Sequence, residues 1–203
     1  MKARAVFLDK DGTLLEDVPY NVRPEQMRLM PGAAAGLLAV HAASYRLVVV
    51  TNQSGVAHGY FAEEQLGGVE RRLSELLAEL GLPLTGFYYC PHHPEGRVAR
   101  YAVCCGCRKP ESGLLRRAAQ DLGIDLARSW FVGDILNDVE AGRRAGCRTI
   151  LLDNGHETEW LPGPWRTPHY VAADLTEAAH IILSHTPPSA VEAINSHAAE
   201  GAA

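Results

Sequence analysis

The sequence predicts an α/β fold built on a doubly wound parallel sheet, and three observations support that class. Short apolar runs alternate with segments of helical periodicity along most of the chain. The strongest runs are apolar throughout, as is typical of strands covered by helices on both faces. Each of these runs ends in polar residues, and ligands in such sheets bind beyond the carboxyl ends of the strands.

The predicted strands are short and rich in β-branched or aromatic residues. Four runs are the clearest: 5–8, 47–50, 130–132 and 149–152. Two weaker ones lie at 85–89 and 170–172.

Between the strands, apolar residues recur at three- and four-residue spacing. The longest such segment, 62–80, ends before Gly81 and Pro83. Shorter helices are predicted at 33–43, 112–122, 138–145 and 175–184. Strand and helix therefore alternate up to about residue 185.

With 203 residues and 47% hydrophobic content, the chain can bury one full core. We expect one domain over residues 1–185, with a loop insertion at 90–107 and no large cap. Residues 186–203 lack a core-forming pattern and are expected to be a mobile tail, with 190–199 able to form a transient helix.

The net charge of −5 argues against a nucleic-acid surface, which needs clustered Lys and Arg. No apolar stretch is long enough to span a membrane, and the first residues do not form a signal peptide. We expect a cytoplasmic monomer with a small-molecule partner.

Two carboxylates, Asp9 and Asp11, directly follow the first predicted strand. Leaving the strand lets both side chains point into one pocket instead of to opposite faces of a sheet. One can then attack a phosphoryl group while the other transfers a proton. Taken alone, the segment is explained equally well as a turn in which Asp and Gly make local hydrogen bonds.

Other element ends carry complementary chemistry. The second strand ends in Thr51-Asn52-Gln53-Ser54, which offers hydroxyl and amide donors to an anion. Arg108 and Lys109 precede a predicted helix, and Asp134 follows the 130–132 strand with Asp138 nearby. Each feature alone is better explained as a capped turn or a solvated charge. Acids, a hydroxyl, a cation and another acid follow one another at the ends of successive strands and helices, and such an order is difficult to explain by chance. Carboxylates placed in this way are suitable ligands for Mg²⁺.

Over residues 5–153 this order of motifs resembles that of the haloacid-dehalogenase-like phosphatases. The resemblance implies a Rossmannoid domain and Mg²⁺-dependent hydrolysis of a phosphate monoester. Asp9 would be the nucleophile that forms an aspartyl-phosphate, and Asp11 the acid and base. Asp134 would complete the Mg²⁺ site with the Asp9 side chain and the Asp11 backbone carbonyl.

The same resemblance implies the substrate contacts. Thr51 and Lys109 would hold the transferring phosphoryl group and so belong to the catalytic set. The further contacts expected beside them are Asn52, Gln53, Ser54 and Arg108.

Four of the five cysteines lie between positions 90 and 107. Cys90, His92, Cys105 and Cys107 would make a closed tetrahedral zinc site, which is structural because no position remains for water. By spacing alone Cys104 could replace Cys105 and His93 could replace His92, although alignment on the following Arg-Lys-Pro favours Cys105. Free buried thiols or an incidental cluster of these residues are the alternatives. Zinc would order a loop just upstream of Lys109.

The longer motifs TNQSGVAHGYF, YYCPHHPEG and CGCRKP resemble a subfamily that acts on heptose 1,7-bisphosphates. This implies removal of the 7-phosphate in the nucleotide-activated heptose pathway that supplies lipopolysaccharide core or related glycans. Histidinol-phosphate phosphatases and broader sugar-phosphate phosphatases are the alternatives, and Ser54 favours the heptose enzymes. The complete catalytic set argues against a non-catalytic binding module.

Two positions depart from that subfamily. Ile135 stands where its members often carry Lys, and His58 stands where they often carry Arg. Both changes remove fixed positive charge near the expected second phosphate, so the sequence leaves the preferred anomer open.

Overall fold

A computed structural model describes residues 2–187. Its centre is a six-stranded sheet in the order β3-β2-β1-β4-β5-β6, with every neighbouring pair parallel. The strands are β1 (Arg4–Leu8), β2 (Tyr45–Asn52), β3 (Gly86–Cys90), β4 (Trp130–Gly133), β5 (Arg148–Leu152) and β6 (Tyr170–Ala172).

The strand order reverses its direction next to β1. From β1 the chain first adds β2 and β3 on one side, and then β4, β5 and β6 on the other. Leu8 at the end of β1 pairs with Val49 of β2 and Val132 of β4. The residues that follow β1 and β4 therefore meet at the switch point, where this kind of sheet forms its ligand site.

Helices cover both faces of the sheet. The helices are α1 (Ala33–Ala42), α2 (Gly55–His58), α3 (Leu66–Ala78), α4 (Gly113–Leu122), α5 (Leu136–Ala145) and α6 (Leu175–Ser184). One core cluster unites α1, α3 and α6 with one face of the sheet, and a second unites α4 and α5 with the other.

Alternation along β1 shows how the strands serve both layers. Val6 and Leu8 belong to the cluster with α1, α3 and α6, whereas Ala5 and Phe7 belong to the cluster with α4 and α5. All four side chains are at most 1% exposed. Burial on both sides explains why the predicted strands are continuously apolar.

The elements expected from the sequence are present, with small shifts at their ends. The predicted helix 62–80 divides into a 3₁₀ turn at Glu63–Gln65 and α3, and the one-turn helix α2 was not expected. Helix α5 begins before residue 138 because the backbone N–H of Ile135 donates to Asp138 Oδ2 at 3.3 Å, which closes the first turn.

The tail expected at 186–203 lies outside the described residues from 188 onwards. Thr186 is still attached to the domain, with its Oγ1 2.9 Å from the hydroxyl of Tyr45. Among residues 2–187, no helix has the length and apolar character needed to cross a membrane.

Candidate active site

Asp9, Lys109 and Asp138 form a buried charge cluster at the carboxyl edge of the sheet. Lys109 Nζ lies 2.8 Å from Asp9 Oδ1 and 2.6 Å from Asp138 Oδ1, and donates to the carbonyl of Val50 at 3.2 Å. Burial disfavours the ammonium group, but the two carboxylates outweigh it and raise the pKa of Lys109. The lysine therefore stays charged beside Asp9.

Asp134 adds a third carboxylate from the end of β4. One oxygen from each of Asp9, Asp134 and Asp138 lies within 4.8 Å of the other two. Burial and the negative charge of Asp9 raise the pKa of Asp134 to about 7. Burial also raises the pKa of Asp138 to about 8, against the opposing effect of Lys109. The raised pKa values show that the three acids cannot all be ionised beside one lysine unless a further positive charge is present.

The crowding of these carboxylates bears directly on whether the site can bind the Mg²⁺ expected from the sequence. A hard divalent cation takes carboxylate oxygens and offsets their mutual repulsion, so the donor set fits Mg²⁺. Of the groups expected to bind Mg²⁺, the structure brings the carboxylates of Asp9 and Asp134 together and places the carboxylate of Asp138 beside them. The other expected ligand is the backbone carbonyl of Asp11.

Asp11 occupies a different environment from Asp9. Its carboxylate pairs with the ammonium group of Lys10 and lies 3.4 Å from Gln53 Nε2. Burial raises the pKa of Asp11, although the Lys10 charge opposes that effect. A carboxyl group whose proton is held more tightly is suited to donating and removing protons.

Gly12 allows these elements to approach closely. Its φ of +75° lies in the left-handed region, and a Cβ there would lie 2.2 Å from Asp134 Oδ2 and 2.3 Å from His156 Nδ1. Any side chain would displace one of them. Thr13 Oγ1 then donates to Asp134 Oδ1 at 2.9 Å, which fixes the orientation of that carboxylate.

The end of β2 contributes polar groups to the same edge. Thr51 is 1% exposed, and its Oγ1 accepts a hydrogen bond from Gln53 Nε2 at 3.0 Å. The side chain of Asn52 hydrogen-bonds the backbone of Lys109 with both of its polar atoms. The carbonyl of Ser54 accepts from His58 N in the first turn of α2. The last residue of β2 therefore contacts Lys109, and the first residue of the turn after it contacts Asp11.

The thiol-rich loop brings together four potential metal ligands. The Sγ atoms of Cys90, Cys105 and Cys107 are 3.1–3.5 Å apart, and His92 Nδ1 lies 3.6 Å from Cys90 and 3.4 Å from Cys107. Cys104 is exposed. Three sulfurs and one imidazole nitrogen within one ion's reach fit the donor preference of zinc.

Arg108 links this loop to a group of aromatic and imidazole rings. It donates to the carbonyl of His92 at 3.3 Å, and burial lowers its pKa. The rings form a continuous chain: Tyr20 to Tyr60 at 4.6 Å between centroids, Tyr60 to His58 at 5.6 Å, and His58 to His93 at 4.7 Å. We call these four rings the ring cluster. Burial lowers the pKa of His93, and the charges of Arg108 and His58 lower it further.

Ile135, which departs from the pattern of the resembling subfamily, is the N-cap of α5 and directly follows Asp134. Its backbone N–H donates to Asp138, and its side chain is half-buried and uncharged. The backbone of position 135 therefore supports the carboxylate cluster, while its side chain adds no charge.

Sequence reasoning missed the loop after β5. His156 Nδ1 lies 2.8 Å from Asp134 Oδ2, and Asn154 Nδ2 donates to the carbonyl of Gly12 at 2.7 Å. Glu157 Oε2 accepts from the backbone N–H of Leu136 at 2.6 Å. No spacing in the sequence pointed to these residues, since their partners lie far away along the chain.

The fold and the order of acids, hydroxyl, lysine and acid around the switch point define a haloacid-dehalogenase-like hydrolase. A family profile described as HAD-hydrolase-like matches residues 106–178, which include Lys109 and Asp134. The resemblance and the fold class predicted from the motifs are thereby confirmed.

Comparison with individual relatives assigns the chain to a narrower family. The chain is 39% identical over 195 residues to a D-glycero-D-manno-heptose-1,7-bisphosphate 7-phosphatase of Thermosynechococcus vestitus, which covers 93% of this chain and 100% of that protein. It is 43% identical over 153 residues to a D-glycero-beta-D-manno-heptose-1,7-bisphosphate 7-phosphatase of Haemophilus ducreyi, covering 75% of this chain and 84% of the relative. The chain belongs to this heptose-bisphosphate phosphatase family.

A solved structure agrees with that assignment. The D,D-heptose 1,7-bisphosphate phosphatase from B. bronchiseptica, complexed with magnesium and phosphate, superposes with a TM-score of 0.71 at 30% identity. The match covers 89% of this chain and 98% of that one.

Proposed function

We propose that this protein removes the 7-phosphate of D-glycero-D-manno-heptose 1,7-bisphosphate in the cytoplasmic supply of nucleotide-activated heptose. The observation that carries the proposal is the buried contact between Asp9 and Lys109, 2.8 Å long, beside two further carboxylates at the switch point. The family of the relatives supports the choice of sugar.

In the first step an oxygen of Asp9 attacks phosphorus, and the bond from phosphorus to the ester oxygen of C7 breaks. Asp11 donates its proton to that leaving oxygen, so heptose 1-phosphate departs as an alcohol and Asp9 carries the phosphoryl group. In the second step Asp11 removes a proton from water as the water oxygen attacks phosphorus. Orthophosphate leaves and the Asp9 carboxylate is restored.

Charge compensation makes this attack feasible. Asp9 and the phosphate are both anionic, and Lys109 offsets their repulsion while binding the equatorial oxygens of the transferring group. Asp9, Asp134 and the backbone carbonyl of Asp11 would hold Mg²⁺, which supplies further positive charge at the phosphoryl oxygens. The Lys109–Asp138 contact of 2.6 Å keeps the ammonium group in place.

Thr51 completes the phosphoryl-binding edge with its hydroxyl group, which Gln53 orients by donating to Thr51 Oγ1 at 3.0 Å. Asn52 acts indirectly, because both of its polar atoms already bond the backbone at Lys109. Ser54 begins the turn that leads to the ring cluster. We assign Thr51 to substrate contact, and Asn52 and Gln53 to positioning.

Selection of the leaving group falls to the loops that carry Arg108 and the ring cluster. The rings come from three separate segments, and a planar guanidinium can hold the remote 1-phosphate by two hydrogen bonds. Aromatic faces pack against the carbon skeleton of a sugar. Zinc at Cys90, His92, Cys105 and Cys107 would fix the loop from which Arg108 projects.

Steady-state kinetics with four substrates test the function. The proposal expects a much higher kcat/KM for at least one anomer of heptose 1,7-bisphosphate than for histidinol phosphate or fructose 1,6-bisphosphate. Product analysis should find heptose 1-phosphate. A preference for histidinol phosphate, or equal activity on all four, would reject the heptose assignment while leaving phosphatase chemistry intact.

A further inference from the structure

A small cavity lies at the amino-terminal edge of the sheet, opposite the edge that carries Asp9. Its volume is about 170 Å³. It is lined by the first residues of four strands: Arg4, Tyr45, Trp130 and Arg148. Because the catalytic site lies at the other ends of these strands, the cavity faces away from it. Arg128 and His185 also line it.

Two of the arginines are held in place by aromatic rings on the neighbouring strand. Arg4 pairs in register with Tyr45, and its Cζ lies 4.5 Å from the centroid of that ring. Arg148 pairs in register with Trp130, with its Cζ 5.4 Å from the ring. Both rings are almost fully buried, at 3% and 2% exposed, so they are fixed platforms. Stacking of this kind limits the orientations that a guanidinium can adopt.

Within the described part of the chain, no carboxylate offsets the positive charge at this cavity. Among residues 2–187, the guanidinium groups of Arg4, Arg128 and Arg148 make no ion pair with a carboxylate, and no carboxylate lines the cavity. Three arginines around one concavity, with no carboxylate among the lining residues, create a local positive potential that attracts anions even though the chain has a net charge of −5.

We propose that this cavity binds a small oxyanion of the phosphate class, carrying one or two phosphoryl groups. Guanidinium forks match the oxygens of phosphate and bind them through paired hydrogen bonds. The cavity is smaller than the roughly 300 Å³ at which drug-sized ligand pockets begin, which favours a compact anion. A nucleotide is disfavoured because Arg4 and Arg148 already cover faces of the two rings on which a base would stack.

Nuclear magnetic resonance can separate this site from the catalytic one, because each amide reports locally. The probe is methylenediphosphonate, a diphosphate analogue whose P–C–P bridge cannot be hydrolysed, titrated into the ¹⁵N-labelled full chain at low ionic strength with a chelator. The proposal expects saturable shifts at the Trp130 indole N–H and at the amides of Arg4, Arg128 and Arg148. Absence of shifts there at millimolar probe would overturn it.

Variants then test the role of the arginines. In the double variant Arg4→Gln, Arg148→Gln the dissociation constant at these reporters should rise at least tenfold, while kcat on the sugar bisphosphate stays within twofold. Arg4→Lys, Arg148→Lys keeps the charge without the fork and should bind with intermediate affinity. Because Arg148 is exposed, the single variant Arg148→Gln provides a fallback if the double variant does not fold.

The matched control is Arg71→Gln, Arg117→Gln, which removes two exposed positive charges elsewhere. It should bind the probe as the wild type does. An equal loss of affinity in this control would show that only the overall charge of the protein matters, and would reject a built site.

Discussion

Asn52 holds the backbone of Lys109 with two hydrogen bonds. Its Oδ1 accepts from the N–H of Lys109 at 3.0 Å, and its Nδ2 donates to the carbonyl of the same residue at 3.1 Å. One amide side chain at the end of β2 thus fixes the residue that places an ammonium group against Asp9.

The first prediction concerns this pair. Asn52→Ala should lower kcat by about 10- to 100-fold, because truncation leaves two backbone groups of the buried Lys109 unpaired and lets Lys109 shift. KM should change much less, since Asn52 itself does not bind the substrate. Steady-state kinetics separate the two effects. Asn52→Asp keeps the acceptor for the Lys109 N–H and should recover part of kcat, and an increase in KM alone would contradict the positioning role.

Much of the fold and the catalytic edge could be predicted from the sequence, for a physical reason. Strands buried on both faces must be apolar throughout, and the polar residues of a ligand site at the switch point must lie at the ends of those strands. Asp9, Thr51 and Asp134 each follow such a run. Local pattern therefore locates them without any knowledge of long-range packing.

The remaining parts depend on contacts that no local pattern encodes. Asp138 lies close to Asp134 in the sequence, but its pairing with Lys109 depends on the way α5 packs against the sheet. Asn154 contacts Gly12 across 142 residues, and His156 contacts Asp134 through a loop without regular structure. The ring cluster is likewise assembled from segments far apart in sequence.

The second prediction concerns the division of roles between the two acids. Asp9→Asn should lower turnover by several orders of magnitude without loss of folding, because an amide cannot form the acyl-phosphate. Asp11→Asn should slow both formation and breakdown of the intermediate. Intact mass spectrometry after brief exposure to substrate should therefore detect a phosphorylated Asp11→Asn protein and no phosphorylated Asp9→Asn protein. Normal turnover by Asp11→Asn would exclude Asp11 as the acid and base and leave it a structural role in the turn.

The third prediction concerns the two metals. The purified protein should contain about one zinc per chain, and its activity should need added Mg²⁺. A mild chelator wash should abolish activity reversibly while zinc remains bound. Elemental analysis together with a phosphate-release assay measures both. Full activity without any divalent cation would exclude the Mg²⁺ role.

The thiol-rich loop offers a closely matched pair of variants. Cys105→Ser should lose zinc and lower the melting temperature, because Cys105 lies within 3.5 Å of the sulfurs of Cys90 and Cys107. Cys104→Ser should retain zinc, because Cys104 is exposed. Equal zinc content in the two variants would exclude Cys105 as a ligand.

The last prediction concerns how the enzyme recognises the remote phosphate without a lysine at position 135. Remote binding energy improves the productive pose of a substrate, and Ile135 cannot supply it to an anion. Arg108 is the cation next to the ring cluster, and burial strengthens its hydrogen bonds. Arg108→Ala should therefore lower kcat/KM for heptose 1,7-bisphosphate by about 10- to 100-fold, the effect of losing a charged hydrogen-bond partner. A simple monophosphate should be affected far less.

Two further variants make this prediction sharper. Arg100→Ala removes an exposed arginine from the same loop and should leave the ratio between the two substrates unchanged. Ile135→Lys adds a cation directly after Asp134 and should change the preference between the α and β anomers, because the two place the 1-phosphate in different directions. Kinetics with both anomers and one monophosphate measure each ratio. Equal losses on every substrate in Arg108→Ala would assign Arg108 to the common phosphoryl site, and an unchanged anomer ratio in Ile135→Lys would remove position 135 from substrate selection.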